Sequence, residues 1–361
     1  MLFDDFHKGI NIGGWLSQYE FVLDQPFTDT EFNVHLDSFI TEADLKQIAS
    51  WGFDHVRLPL SGYFLFDRET LQLNKKPLYY IDQCISWCKN NNLNLILDLH
   101  DLWGNVYGAM DTPMPLLTDS ILQSYFFGFW ERLAEHCKEV TGIQLMFELF
   151  NEVSDASGYL WGRMYKEVIK RIRKIDSERL ILVGSNCQNS VAYLTQLDLA
   201  ADPFVVYNFH YYDPQVFTHQ KAHFSEDLSK YNRTVTYPGD ISDFVQFLKE
   251  NTEYQMKYSL VGKETKNDKA LMDRLLKNAV DFVQYSGCQL YCGEFGVIDS
   301  APPEEAVKWI KDFLSVLEIN RIGHAMWNYK ALDFGLIDRQ GDVVSEFLLN
   351  AIIEINEIYS R

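Results

Sequence analysis

The sequence predicts an α/β chain closing into an eight-stranded parallel barrel, a (β/α)8 TIM barrel, with an inserted subdomain after the sixth strand. Three observations carry that prediction. Short apolar or β-branched runs alternate with longer runs of helical period, eight times over. The strand-like runs are nearly continuous in apolar residues, as strands of a parallel sheet buried on both faces must be. The chain has 361 residues, 47% hydrophobic and 23% charged, and such barrels run from about 200 to beyond 400 residues with insertions.

The elements follow in chain order. Strand one is read at 8–13, followed by a helix at 42–50. Strand two, 55–60, carries Arg57 among Val56, Leu58 and Leu60; its helix is 80–91, where Cys84 and Cys88 fit the helical pattern. Strand three, 94–100, ends in Leu97-Asp98-Leu99-His100, and its helix is 120–140. Strand four, 143–150, closes on Leu149-Phe150-Asn151-Glu152 before a helix at 159–175. Strand five is 179–184, with a helix at 190–197. Strand six, 204–211, leads through His210 to Tyr212, and its helix, 271–285, comes late. Strand seven, 289–295, closes on Tyr291-Cys292-Gly293-Glu294-Phe295-Gly296, with a helix at 304–317. Strand eight, 323–329, ends in Trp327-Asn328-Tyr329, and the last helix is 345–358.

Between strand six and its helix lie residues 213–270, where an ordinary βα loop has roughly 2–6. This stretch is polar, holds the Pro238-Gly239 turn signal and one helical run at 241–249. It reads as a subdomain on the C-terminal face of a single domain, 1–361.

The formal net charge of −19 repels nucleic acid and anionic lipid, so neither is expected as a partner, while a neutral ligand such as a sugar stays open. No apolar run approaches the roughly 20 residues of a membrane span. The first residues lack the basic-then-apolar pattern of a secretory leader. The expectation is a cytoplasmic monomer, or a secreted one if a leader was trimmed. The six cysteines show no zinc-ligand spacing and are expected to be reduced and mostly buried, with no metal bound.

The chemistry gathers at strand C-terminal ends, where barrels of this type carry their active sites. Glu152 closes strand four and Glu294 closes strand seven, and these strands face each other across a small barrel. A lone glutamate is most often solvated or salt-bridged, but each of these ends an apolar strand. Two carboxyl groups flanking a scissile bond are what glycoside hydrolysis needs: one protonated to release the departing oxygen, one ionised to attack the anomeric carbon. Arg57, His100, His210, Tyr212 and Trp327 stand at other strand ends. A buried arginine holds a neighbouring carboxylate ionised, a tyrosine can donate to it, and a Trp ring offers a flat face to a sugar. Asp98 and Glu148 lie deeper and read as buried supports. Trp161 reads as structural.

Taken together, the motifs resemble the family 5 glycoside hydrolases, the cellulase family of the (β/α)8 clan, and within it the clostridial endoglucanase C type. They include Gly9-Ile10-Asn11-Ile12-Gly13-Gly14-Trp15, Gly52-Phe53-Asp54-His55-Val56-Arg57-Leu58-Pro59 and Phe147-Glu148-Leu149-Phe150-Asn151-Glu152. They continue with Val206-Tyr207-Asn208-Phe209-His210, Phe217-Thr218-His219-Gln220-Lys221-Ala222-His223, Tyr291-Cys292-Gly293-Glu294-Phe295-Gly296 and Trp327-Asn328-Tyr329-Lys330. The resemblance implies Glu152 as general acid/base, Glu294 as nucleophile and Asn151 as the contact to the sugar 2-hydroxyl. It also implies that Arg57, His100, His210 and Tyr212 order that subsite, that Trp327 is its stacking platform and that 213–270 flanks the groove. Asn11 and Trp15, on and just after strand one, are expected among the sugar contacts. Asp101 stands where the family often has a second histidine, and Phe224 where the nearest relatives would have Trp. Trp103 and Tyr107 stand where they would add or block a sugar site.

The expected reaction is double displacement with no cofactor, on β-1,4 or mixed-linkage β-1,3-1,4 glucan or its oligosaccharides. β-Mannanase, exo-β-1,3-glucanase and β-glucosidase are the alternatives within the family. A non-catalytic carbohydrate-binding barrel would have lost one of the glutamates, and a metal-dependent barrel hydrolase would show an HxH pair; neither sign is present.

Overall fold

A computed structural model describes residues 5–106 and 112–358. Eight strands close into one barrel: β1 Lys8–Asn11, β2 His55–Ser61, β3 Asn94–Asp101, β4 Leu145–Glu148, β5 Leu180–Gly184, β6 Val205–Tyr211, β7 Leu290–Phe295 and β8 Gly323–Met326. Each pairs in parallel with its neighbours in chain order, and β1 closes the ring by pairing with both β2 and β8. Every strand is buried along nearly its whole length, as its apolar composition requires.

Alternation sorts the strand residues into two sets. One set packs outward against the helices in the main apolar core. The other fills the barrel: Ile96, Met146, Leu182, Val206, Tyr291 and Ala325 form a small separate cluster, with Phe6 against it. Deeper still, His55 lies between Asp54 and the Tyr291 hydroxyl. Gly9 has no room for a side chain there, because a Cβ would come within 2.1 Å of the His55 ring. The same inward parity places Arg57, Asp98, Glu148, Asn208 and His210 above the apolar layer. The barrel thus carries an apolar layer between a small polar group at its base and a larger polar set towards the strand C-termini.

The longer helices are α1 Asp29–Ser38, α2 Glu42–Ser50, α3 Lys75–Asn90, α4 Ser120–Cys137, α5 Tyr159–Ile172, α6 Ser242–Glu250, α7 Lys269–Leu275, α8 Lys277–Ser286, α9 Pro303–Ile319 and α10 Glu346–Ile358. Three depart from expectation. α1 was not foreseen; its apolar periodicity is weak, and a capping box between Thr28 and Glu31 starts it. The helix expected at 190–197 is a 3-10 run, Val191–Gln196, preceded by a left-handed turn. The helix expected at 271–285 breaks at Leu276 into α7 and α8.

Residues 213–270 hold α6, two short helices at Gln215–Thr218 and Glu226–Tyr231, and a two-stranded ribbon pairing Gly239–Asp240 with Lys266–Asn267. Ring contacts among Tyr231, Phe244, Phe247 and Tyr258 give the segment an aromatic core of its own. It docks on α9 through Tyr237, whose hydroxyl donates to Asp312 at 2.8 Å and whose N–H donates to Glu305 at 2.9 Å. The cysteines are free thiols, all buried except the half-buried Cys288.

Candidate active site

A cleft of about 1180 Å³ opens at the strand C-terminal ends. Glu152, Glu294, His100, Asn151, His210, Tyr212 and Trp327 all line it. How each gets there is a matter of backbone as much as sequence.

Glu294 depends on an irregularity in β7. Tyr291 already faces the barrel interior, so strict alternation would turn residue 294 outward. The pairing of β7 with β6 slips by one residue between Cys292, opposite Phe209, and Glu294, opposite His210. Gly293 is the extra residue of this bulge. A Cβ on it would sit 2.7 Å from Asn208 Nδ2, and its N–H donates to Asn208 Oδ1 at 2.7 Å. The bulge returns Glu294 to the interior face. There Arg57 Nη1 donates to its Oε1 at 2.9 Å and the Tyr212 hydroxyl to its Oε2 at 3.1 Å.

Glu152 ends the β4 segment in a left-handed backbone, with φ 49°, a region that costs a side-chain-bearing residue about 1–2 kcal/mol. Asn151 is still held like a strand residue, its N–H donating to the Leu99 carbonyl at 2.9 Å. The turn at Glu152 brings its Oε1 to 3.0 Å from His210 Nδ1. Burial, opposed by the fields of His100 and Arg57, pushes the Glu152 carboxyl up to about 7. One oxygen of Glu152, one of Glu294 and a His210 ring nitrogen lie within 4.8 Å of one another. This is the one trio of potential metal ligands among the described residues, yet its atoms are already engaged: Arg57 and Tyr212 hold Glu294, and His210 faces Glu152.

Arg57 does not line the cleft. It is wholly buried beneath it and organises it. Its Nε and Nη2 form a fork on Glu148 at 2.6 and 3.0 Å, Nη2 also reaches Asp98 at 3.0 Å and Asn151 Oδ1 at 2.9 Å, and Nη1 reaches Asn11 Oδ1 at 2.9 Å. Burial opposes its charge, but Asp98, Glu148 and Glu294 outweigh burial and push its pKa further up. Because Asn151 accepts from Arg57 through oxygen, its NH2 is left facing His100 Nε2 at 3.5 Å. His100 Nδ1 lies 2.7 Å from Asp98 Oδ2, and its ring stacks on Trp327 at 5.8 Å and 11°. Gly13 makes room for that Trp, since a Cβ there would meet the indole at 2.6 Å.

Two expected sugar contacts are elsewhere. Trp15 is fully buried, donates from Nε1 to the Leu36 carbonyl at 2.9 Å and stacks on Trp87; it belongs to the barrel–helix core. Its place just after β1 suggested the cleft, but the chain turns it outward. Asn11 is also buried, and joins Arg57 to the Gly293 carbonyl, to which it donates at 3.0 Å. Trp103 packs between Tyr63 and Tyr125 rather than on the cleft wall, and Tyr107 lies outside the described residues. Phe224 is exposed in the cleft beside His219 and His223.

Sequence reasoning missed Gln188, Asn189 and the Glu20–Phe21 side of the cleft. The turn that carries the first two lies just ahead of the 190–197 run and has no glycine to mark it. Asp101, noted as a departure, accepts from Ser61 Oγ at 2.7 Å, and burial pushes it up to about 6.

The chain matches the family model described as cellulase (glycosyl hydrolase family 5) over residues 22–333. It is 40% identical to Endoglucanase C of Acetivibrio thermocellus, over 96% of this chain and 98% of that protein. It is 33% identical to Cellodextrinase A of Ruminococcus flavefaciens, over 84% of this chain and 80% of that protein. In fold it is similar to the Thermotoga maritima Cel5A solved with cellobiose, with a TM-score of 0.75 at 21% identity, over 97% of this chain and 98% of that one.

Proposed function

The chain belongs to glycosyl hydrolase family 5, the cellulase family, and from that premise we propose a retaining endo-β-glucanase acting on β-1,4 or mixed-linkage β-1,3-1,4 glucans. The observation that carries the reading is the pair of glutamates with oxygens within 4.8 Å across the cleft, in unlike surroundings. Retention calls for about 5–5.5 Å between the carboxyl groups, whereas inversion needs roughly 6.5–9.5 Å to admit a water.

In the first step Glu294 attacks the anomeric carbon while Glu152 gives its proton to the glycosidic oxygen. The aglycone leaves with that proton, and Glu294 is left as a neutral ester. In the second step Glu152, now a carboxylate, takes a proton from water as the water's oxygen displaces Glu294. Arg57 and Tyr212 aim Glu294 and take up its charge again when it leaves. The Asn151 NH2, oriented by Arg57, is placed to donate to the 2-hydroxyl. Trp327 offers its face to the ring.

The test is a set of defined β-glucan and mannan oligosaccharides, with the product anomer followed by NMR. The expected first product is the β anomer released from internal bonds, with Glu294→Gln and Glu152→Gln each losing at least roughly a thousandfold in kcat. An α anomer, or a Glu294→Gln variant that works normally, would contradict the reading. The kinship to a protein named cellodextrinase favours a second reading, preference for short soluble cello-oligosaccharides. It would show as kcat/KM that stops rising beyond short chains.

A further inference from the structure

One buried side chain on a left-handed turn reaches the imidazole that faces both glutamates. Cys187, Gln188 and Asn189 follow β5 with φ of 53°, 60° and 54°, three consecutive residues in a region that L side chains rarely adopt. The turn is fastened on both sides. The Gln188 N–H donates to the Val153 carbonyl at 3.0 Å, Ser185 Oγ donates to the Ser190 carbonyl at 2.9 Å, and Ser190 forms an isolated bridge with His210. It delivers Asn189, fully buried, with Nδ2 3.1 Å from His210 Nε2. Gly184 leaves the space, since a Cβ there would lie 2.2 Å from Asn189 Oδ1.

With Nδ2 turned to the ring and Oδ1 left without a hydrogen-bond partner among the described residues, the Asn189 amide donates, so in this orientation Nε2 of His210 presents its lone pair. The ring is neutral: burial, with Arg57 adding to it, pulls His210 down to about 4 against the field of Glu294. The other charged or titratable groups around it are Glu152, Glu148 and His100. A neutral imidazole with a lone pair on Nε2 carries its hydrogen on Nδ1. That N–H lies 3.0 Å from Glu152 Oε1 and 3.6 Å from Glu294 Oε2.

We propose that Asn189 is a positioning residue that fixes His210 as the Nδ1–H tautomer, giving both glutamates a single neutral donor. The proposal rests on the reading of Glu152 and Glu294 as acid/base and nucleophile. No proton moves on His210 in either step. The donor faces Glu294 while that carboxylate is charged, and faces Glu152 once Glu294 is esterified and Glu152 has given up its proton. The opposite tautomer would aim a lone pair at the Glu152 carboxylate in the second step.

The test is 15N NMR of the histidine side chains in the full chain at pH 7, with His210 assigned by its loss in His210→Gln. The wild type should show a protonated Nδ1 and a bare Nε2. In Asn189→Gly, whose glycine accepts the left-handed backbone, the tautomer should mix or reverse while the other histidine signals stay put. The same variant should lose roughly tenfold in kcat with KM little changed, and the alkaline limb of its kcat/KM profile should move to higher pH. A bare Nδ1 in the wild type, or an Asn189→Gly variant with unchanged tautomer and rate, would overturn the proposal. The tautomer is read without turnover, so failure of the glutamate assignment, seen as activity surviving in Glu152→Gln, is a separate outcome.

Discussion

Arg57 is the only cation touching three buried carboxylates, Asp98, Glu148 and Glu294, among the described contacts of the site. Removing its charge would leave all three without a counter-ion, and breaking one buried pair already costs about 3–5 kcal/mol. Arg57→Met should therefore lower unfolding stability by at least about 3 kcal/mol in urea titration, besides abolishing activity. A variant as stable as the wild type would mean that the carboxylates take up protons cheaply. The two tryptophans of the motifs should part company. Trp15→Ala, emptying a core position, should lose about 3–5 kcal/mol of stability while the folded fraction keeps its KM, whereas Trp327→Ala, at 7% exposure and stacked on His100, should lose stability and also raise KM and lower kcat. Glu152 sets the pH response. It must be protonated to act as acid and has a pKa of about 7, so kcat/KM should fall as pH rises through about 7. A rate that climbs steadily to pH 9 would show that another group supplies the proton.

The elements show where sequence pattern suffices and where it does not. Apolar runs located all eight strands, because a strand buried on both faces has no other way to be written. They could not show that Tyr291 and Glu294, three residues apart, share a face, since a bulge is a local exception to period two. Gly293 was its only trace. Gly293→Ala should push Asn208 aside and disturb the seating of Glu294, lowering kcat by tenfold or more while far-UV circular dichroism stays unchanged; normal kcat would show that β7 absorbs a Cβ there. α1 was not foreseen, because its apolar period is weak; what starts it is the capping box between Thr28 and Glu31. The 187–189 turn was not legible at all. Left-handed backbone usually announces itself through glycine, and here Cys187, Gln188 and Asn189 hold it because their surroundings leave no alternative. Trp15 and Asn11 show the matching error: a place near the site in sequence says neither which way a side chain turns, as with Trp15, nor how deep it lies, as with Asn11 beneath the cleft.

Over the whole molecule, protonation should make stability depend on pH in two opposed ways. Burial raises Asp98 and Glu152 to about 7 and Asp101 and Asp213 to about 6. The folded chain keeps protons that the unfolded chain gives up near pH 4, so this contribution is complete below about 4 and is lost as pH climbs to 7. Burial lowers His210 to about 4 and His219 and His324 to about 3. Their contribution is present above about 6.5 and is lost as pH falls through 4 to 3. Replacing a raised acid should therefore matter most on the alkaline side. The melting temperature of Asp98→Asn, relative to wild type, should improve between pH 5 and pH 8, and a pH-independent difference would rule the argument out. The crowd of carboxylates around one guanidinium has a pharmacological corollary. A pocket that wants more positive charge than Arg57 supplies should prefer a ligand that brings its own. A sugar-shaped ring with a basic nitrogen in place of the anomeric carbon should occupy it far more tightly than the neutral sugar, because its ammonium charge sits where the reacting carbon becomes cationic.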